Sequence, residues 1–146
     1  MSLKHRMNVR VYYEDTDFSG RVYHASYLRF LERGRTEWLR ALGFEHGALS
    51  GSDGVVFAVR GLSIEYLAPA LMDNLLSIDT SVSLVKGAVI EFAQIIARDD
   101  VRLVEANVRV VTLKSDRATR PPRALLNAVI LSREASIVEG PIQSSS

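Results

Sequence analysis

The side chains able to do chemistry crowd into one stretch. Val11 to Leu39 reads VYYEDTDFSGRVYHASYLRFLERGRTEWL and holds Tyr13, Asp15, Asp17, Tyr23, His24 and Tyr27 at a strand–loop–helix junction. A carboxylate there can attack a carbonyl as a nucleophile or activate water as a general base. A helix N-terminus beside it offers unpaired backbone N–H groups and the positive end of a dipole, which suit a developing oxyanion. Gly20 lets the backbone approach a ligand closely. By residue type alone, Asp17 is equally a loop or helix-capping residue, Asp15 a turn former and His24 a structural histidine.

Other candidates are weaker. With no cysteine there is no disulfide, thiolate metal site or cysteine nucleophile. No pair of the 3 histidines and the carboxylates has metal-ligand spacing, so no metal is expected; His5 and His46 read as surface residues. Glu32 and Arg35 are three apart and read as a helix-surface pair. Arg117, Arg120 and Arg123, around Pro121 and Pro122, read as an extended basic connector or as contacts for phosphate.

The elements that must position the junction follow from periodicity. Val9 to Tyr13 is β-branched and aromatic, a strand; Glu14 to Gly20 is a loop. From Tyr27, apolar residues recur at Phe30, Leu31, Trp38, Ala41 and Leu42 with Gly34 on the same face, a helix with Ser26 as N-cap and Gly43 as its stop. Gly34 within it reads as a close approach to a strand. His46 to Gly54 reads as a loop. The period then becomes two: Phe57, Val59 and Gly61 share one face, after which the alternation runs Leu62, Ile64, Tyr66 and stops at Pro69. Leu75 to Val85, Ala88 to Arg98 and the run through Val104, Ala106, Val108 and Val110 are three more strands, joined at Lys86-Gly87 and Asp99-Asp100. Ala124 to Ser132 reads as a short terminal helix.

One strand, one long helix and four strands predict an α+β fold, an antiparallel sheet of about five strands wrapped around one long central helix. One helix leaves strand faces uncovered, so a homodimer meeting through strands or sheet faces is expected. The 146 residues fit one domain, with a core over about 8–114 and an extension over about 115–146. A net charge of +1, from 18 basic and 17 acidic residues, gives no electrostatic reason for a nucleic-acid or anionic-membrane partner. MSLKHRMNVR lacks an apolar signal region, and no run approaches the roughly 20 residues that span a bilayer, so a soluble cytoplasmic protein is expected. The first few residues and Ser144 to Ser146 are expected to be loose ends.

The motif residues resemble a family. Tyr13, Asp15-Thr16-Asp17, Gly20, Val22-Tyr23-His24, Tyr27-Leu28, Phe30, Glu32, Arg35 and Glu37-Trp38-Leu39, then Arg60 to Ala70 and Asp73, are similar to hotdog-fold thioesterases of the 4-hydroxybenzoyl-CoA type. Within them the resemblance is strongest to the Tol–Pal-associated acyl-CoA thioesterases of the YbgC type. It implies a hotdog fold and hydrolysis of an acyl-CoA thioester, with Asp17 as catalytic carboxylate and the His24 N–H polarising the carbonyl. It further implies that His24 and Tyr13 side chains orient water or substrate, and that Gly20, Tyr23 and Tyr27 contact substrate. No metal or resident cofactor is implied, since coenzyme A enters with the substrate. Implied partners are a second copy (dimer or tetramer), acyl carrier protein and Tol–Pal-associated proteins, with peripheral placement at the inner membrane. Arg21 departs from the small apolar residue usual there. The alternatives are a non-catalytic acyl-carrier-protein adaptor and a hotdog dehydratase; the complete aspartate motif opposes the first, and a loop without proline the second.

Overall fold

The structure is a computed structural model describing residues 4–45, 47, 51 and 54–139, with side chains of the last helix through Ser132. His46, most of the expected His46–Gly54 loop and both expected loose ends lie outside the described residues. The chain runs β1 (His5–Arg10), a 3-10 turn (Tyr13–Asp15), α1 (His24–Ala41), β2 (Val55–Tyr66), β3 (Leu75–Lys86), β4 (Val89–Arg98), β5 (Val101–Lys114), β6 (Arg117–Ala118) and α2 (Arg123–Glu139). The strands form one antiparallel sheet in the order β1-β3-β4-β5-β2, with β6 also on β5.

The expected meander is present. β3, β4 and β5 pair in sequence through turns at Gly87 (φ 59°) and Asp99 (φ 54°). β4 is central, but only Ile90, Phe92, Gln94 and Ile96 are fully buried along it; the alternate face is half-buried. β2 joins the far side of β5, and its pairing slips between Val59 and Gly61, a β-bulge at Arg60. The bulge explains why apolar positions switch from odd to even residues there.

The first strand sits earlier than Val9–Tyr13. β1 ends at Arg10, Val11 is fully buried, and Tyr12 and Tyr13 are both exposed. Alternation on an edge strand cannot tell a strand from the extended chain that follows it, and the Val11 N–H bonds the Asn74 carbonyl at 2.9 Å outside any ladder.

The sheet wraps around α1. Tyr27, Phe30 and Leu31 join Leu76, Ile78, Ile96 and Val104 in one core cluster; Trp38 and Leu39 join Ile90, Phe92, Val108 and Val110 in a second. Gly34 marks the closest approach, as its position implied. A Cβ there would lie 2.8 Å from Ile78 Cγ2 and 2.9 Å from Thr80 Oγ1. Beside it, the buried Gln94 amide donates to the Leu31 carbonyl and to Thr80 Oγ1, both at 2.9 Å, and accepts from Arg35 at 3.0 Å. Every polar atom of that side chain is thereby satisfied, which burial requires. Arg35 therefore turns inward; it makes no ion pair with Glu32, and burial lowers its pKa against the opposing pull of Glu32.

The C-terminus of α1 is a Schellman motif: Gly43, at φ 95°, donates to the Arg40 carbonyl and Phe44 to the Leu39 carbonyl. α2 begins near the expected residue and extends beyond Ser132. Its Leu125 and Val129, four apart, dock on the second core cluster.

Candidate active site

Asp17 opens a tight hairpin. Its N–H bonds the Arg21 carbonyl at 2.9 Å, and the Gly20 N–H bonds the Asp17 carbonyl at 3.1 Å. Thr16 and Val22 form a β-bridge across the turn, and Gly20 adopts φ 85°. This is a three-residue hairpin whose last position is left-handed, the conformation glycine supplies without strain. The Asp17 Oδ1 accepts the Ser19 N–H at 2.8 Å and the Ser19 hydroxyl at 2.5 Å. These bonds favour the charged form and lower the Asp17 pKa below its ordinary value, the hydroxyl contributing most. The carboxylate is exposed, hence ionised and reachable by water.

Asp15 braces the junction. Its carboxylate accepts the Tyr12 N–H at 2.8 Å and lies 3.8 Å from Arg29. Its carbonyl accepts from the Tyr23 N–H and the Ser26 hydroxyl, each at 3.0 Å. The turn-former reading of Asp15 describes this geometry. Ser26 is not the N-cap: α1 starts two residues earlier, Tyr23 is the capping position, and Tyr23 makes no side-chain capping bond. Ser26 is drawn inside the first turn because its hydroxyl satisfies Asp15. Among the described residues, the His24 and Ala25 N–H groups have no hydrogen-bond partner, so the dipole end of α1 stays open.

Asp17 and this helix end share one groove of about 510 Å³, lined by Asp17, Ser19, Arg21, Tyr23, His24, Tyr27 and the segment Tyr66 to Pro69. The His24 ring packs on Tyr66 at 4.6 Å between centroids, and Tyr27 lies 5.5 Å from Tyr66. Tyr27 is buried, its hydroxyl accepts the Ala70 N–H at 3.0 Å, and burial raises its pKa. The structure thus brings together Asp17, Tyr23, His24 and Tyr27. Gly20 shapes the turn without lining the groove. Tyr13 stands outside it on the 3-10 turn, 79% exposed. Ser19 and Tyr66 were not among the expected site residues. The Asp-x-Ser spacing signals the first; Tyr66 lies within the second motif segment, but no local pattern brings it to His24. Among the described residues, no cluster of histidine and carboxylate side chains could hold a metal ion.

The sheet–helix architecture and this groove define a hotdog-fold thioesterase. The thioesterase superfamily model matches residues 19–105, and the chain belongs to that superfamily. An acyl-CoA thioesterase of the YbgC type from Haemophilus influenzae is 50% identical over 102 residues, covering 70% of this chain and 75% of that protein. A probable thioesterase from Bartonella henselae, of known crystal structure, is 42% identical with a TM-score of 0.79, covering 82% of this chain and 99% of that one. The 4-hydroxybenzoyl-CoA thioesterase of a Pseudomonas strain shares the fold, with a TM-score of 0.81 at 19% identity over 86% of this chain and 98% of that one.

Proposed function

We propose that this chain hydrolyses acyl-CoA thioesters to a free acid and coenzyme A, with Asp17 as the catalytic carboxylate. The observation that carries the reading is the shared groove: the ionised, exposed Asp17 carboxylate and His24, whose helix-start N–H is unpaired among the described residues, line the same opening. Family membership and the acyl-CoA thioesterase relative support the reaction class. The thioester carbonyl oxygen would accept the His24 N–H, so that negative charge developing on it meets the positive end of α1. Asp17 either attacks the carbonyl carbon, giving an anhydride that water cleaves, or takes a proton from the water that attacks directly. On the first route water attacks the substrate-derived carbonyl of the anhydride and frees Asp17; on both, water supplies the acid's new oxygen, and the sulfur leaves as a thiolate that takes up a proton released from water to give the thiol. The His24 ring, held against Tyr66, would orient water or substrate; Tyr13 would reach substrate from outside the groove's rim. Coenzyme A enters as part of the substrate, and no resident cofactor is required.

The active form is proposed to be a homodimer paired through β2. This strand ends the sheet order, is 12 residues long and exposes Val56, Val59 and Leu62. Edges of that kind pair with another strand. The other edge, β1, has 6 residues, among them His5, Arg6 and Arg10, and is poorly suited to pairing. Acyl carrier protein and Tol–Pal-associated proteins are proposed partners on the family resemblance alone, as is a cytoplasmic or peripheral inner-membrane location. No described helix is long and apolar enough to cross a membrane.

Thiol release from short-, medium-, long-chain and aromatic acyl-CoAs tests the reading in wild type and Asp17→Asn. Hydrolysis that falls about a hundredfold or more in the nearly isosteric variant is expected. Equal rates in both proteins would remove Asp17 from the chemistry.

A further inference from the structure

The 3-10 turn that leads into Asp17 borders a second hollow. A cavity of about 270 Å³ lies between that turn, β1 and α1, walled by Asn8, Arg10, Tyr12, Glu14, Asp15 and Arg33. It shares no lining residue with the Asp17 groove. β1 ends the sheet on the side opposite β2, so the cavity lies away from the long apolar edge.

The polar groups around this cavity are unevenly spent. Asp15 is already paired: its carboxylate accepts the Tyr12 N–H and lies 3.8 Å from Arg29, whose guanidinium also donates to the Ser26 hydroxyl at 2.9 Å. Arg29 thus answers the Asp15 charge. The side chains of Asn8, Glu14 and Arg33 have no hydrogen-bond or ion-pair partner among the described residues. Arg10 donates through Nη1 to the Asp73 carbonyl at 2.8 Å and makes no ion pair with a described carboxylate. Two guanidiniums against one unpaired carboxylate leave a positive balance. Each guanidinium presents its N–H donors in a planar fork that matches phosphate oxygens, and two forks on one cavity suit a dianion that accepts from both. Glu14 and Asn8 add acceptors, which a bare ion cannot use and a hydroxyl can. At about 270 Å³, against the roughly 30 Å³ that a water takes up in the liquid, the space admits an organic ester and not the ion alone.

We propose that this cavity is a second ligand site, which takes a small hydroxylated phosphomonoester of the sugar-phosphate class. Arg10 and Arg33 hold the phosphate, and Glu14 and Asn8 accept from the hydroxyls. The site does not depend on the thioesterase reading, because none of its residues lines the Asp17 groove. Asp15 joins the two regions: it walls the cavity, and its carbonyl accepts the Tyr23 N–H and the Ser26 hydroxyl at the start of α1. A ligand bound here fastens the turn that leads into Asp17 and stabilises the fold by mass action.

Isothermal titration calorimetry and thermal melting test the site with ribose 5-phosphate, inorganic phosphate and ribose. The proteins are wild type, Arg33→Gln, Glu14→Gln and, as a control in the groove, Arg21→Gln. Wild type should bind ribose 5-phosphate at least tenfold more tightly than inorganic phosphate, with a rise in Tm, and should not bind ribose. Arg33→Gln should weaken ribose 5-phosphate at least tenfold, the effect of losing one charge-assisted contact, without changing the Tm of the free protein. Glu14→Gln should tighten inorganic phosphate and narrow the gap between the two ligands. Arg21→Gln should change nothing. Binding that survives Arg33→Gln, or that is lost in Arg21→Gln instead, places the phosphate elsewhere and overturns the proposal. Absence of both heat and a Tm rise with ribose 5-phosphate overturns it too, and leaves the cavity a solvated cleft. Equal affinities for the ester and the bare ion overturn the assignment of the hydroxyls to Glu14 and Asn8.

Discussion

Ser19 holds the charge on Asp17. Its hydroxyl and N–H both reach Oδ1, and the carboxylate therefore stays ionised below its ordinary pKa of 3.8. A depressed folded-state pKa favours the fold above the unfolded value, and that preference disappears as pH falls through the folded value. The side chain is fully exposed, so the consequence to look for is catalytic. Ser19→Ala removes the larger contribution, and the acid limb of kcat/KM should move to higher pH, toward the ordinary carboxylate value. A pH–rate series on wild type and variant measures this; an unmoved limb means that Ser19 does not set the Asp17 charge. At this scale the Asp-x-Ser-Gly spacing was legible as a turn. The division of labour between the two aspartates was legible only as alternatives, because it depends on Asp15 meeting the Tyr12, Tyr23 and Ser26 groups in three dimensions.

α1 is positioned by contacts far from the groove. Gly34 lets the helix backbone lie against β3, and Gln94 ties the Leu31 carbonyl to the sheet. A methyl at position 34 would meet Ile78, Thr80 and Gln94 at 2.8, 2.9 and 3.0 Å; the first two are short β-branched side chains, and the third is the Gln94 amide nitrogen, held in place by the hydrogen bonds of that side chain. Gly34→Ala should therefore cost about 1–3 kcal/mol, despite the roughly 1 kcal/mol that alanine gains in helix propensity. Urea unfolding reads the loss, and an equal or higher midpoint would show that the sheet yields. The same variant should lower kcat, because α1 carries the His24 N–H at its start. The helix and its glycine stop were readable from the 3.6-residue period and Gly43. Its start was not, because Ser26 has the right chemistry for an N-cap but is claimed by Asp15.

The whole molecule presents one long apolar edge and one short charged edge. If β2 pairs with a second copy, a charge at Leu62 should break the pairing. Leu62→Lys is expected to sediment as a folded monomer. A variant that remains dimeric would place the interface elsewhere. The bulge at Arg60 belongs to this scale too: it offsets the switch from odd to even positions, so Phe57, Val59, Leu62, Ile64 and Tyr66 stay on one face of β2, with Phe57 lining a cavity in the second core cluster and Tyr66 lining the groove.

Local order in this protein was written in the residue pattern. Period-two runs specify the three-strand meander, a 3.6-residue period specifies α1, and the density of ionisable and aromatic groups between Tyr13 and Tyr27 locates the site. Each is a short-range property, because alternation, helical periodicity and turn chemistry act over a few residues. The tertiary structure decided what depends on distant segments. It placed β2 beyond β5 and β1 beyond β3, brought Tyr66 onto His24, and turned Arg35 from Glu32 to Gln94. It left Tyr13 outside the groove and brought Leu125, a residue of the C-terminal extension, into the second core cluster. These outcomes follow from sheet order and from which buried polar groups must be satisfied, and both are settled only when the whole chain packs at once.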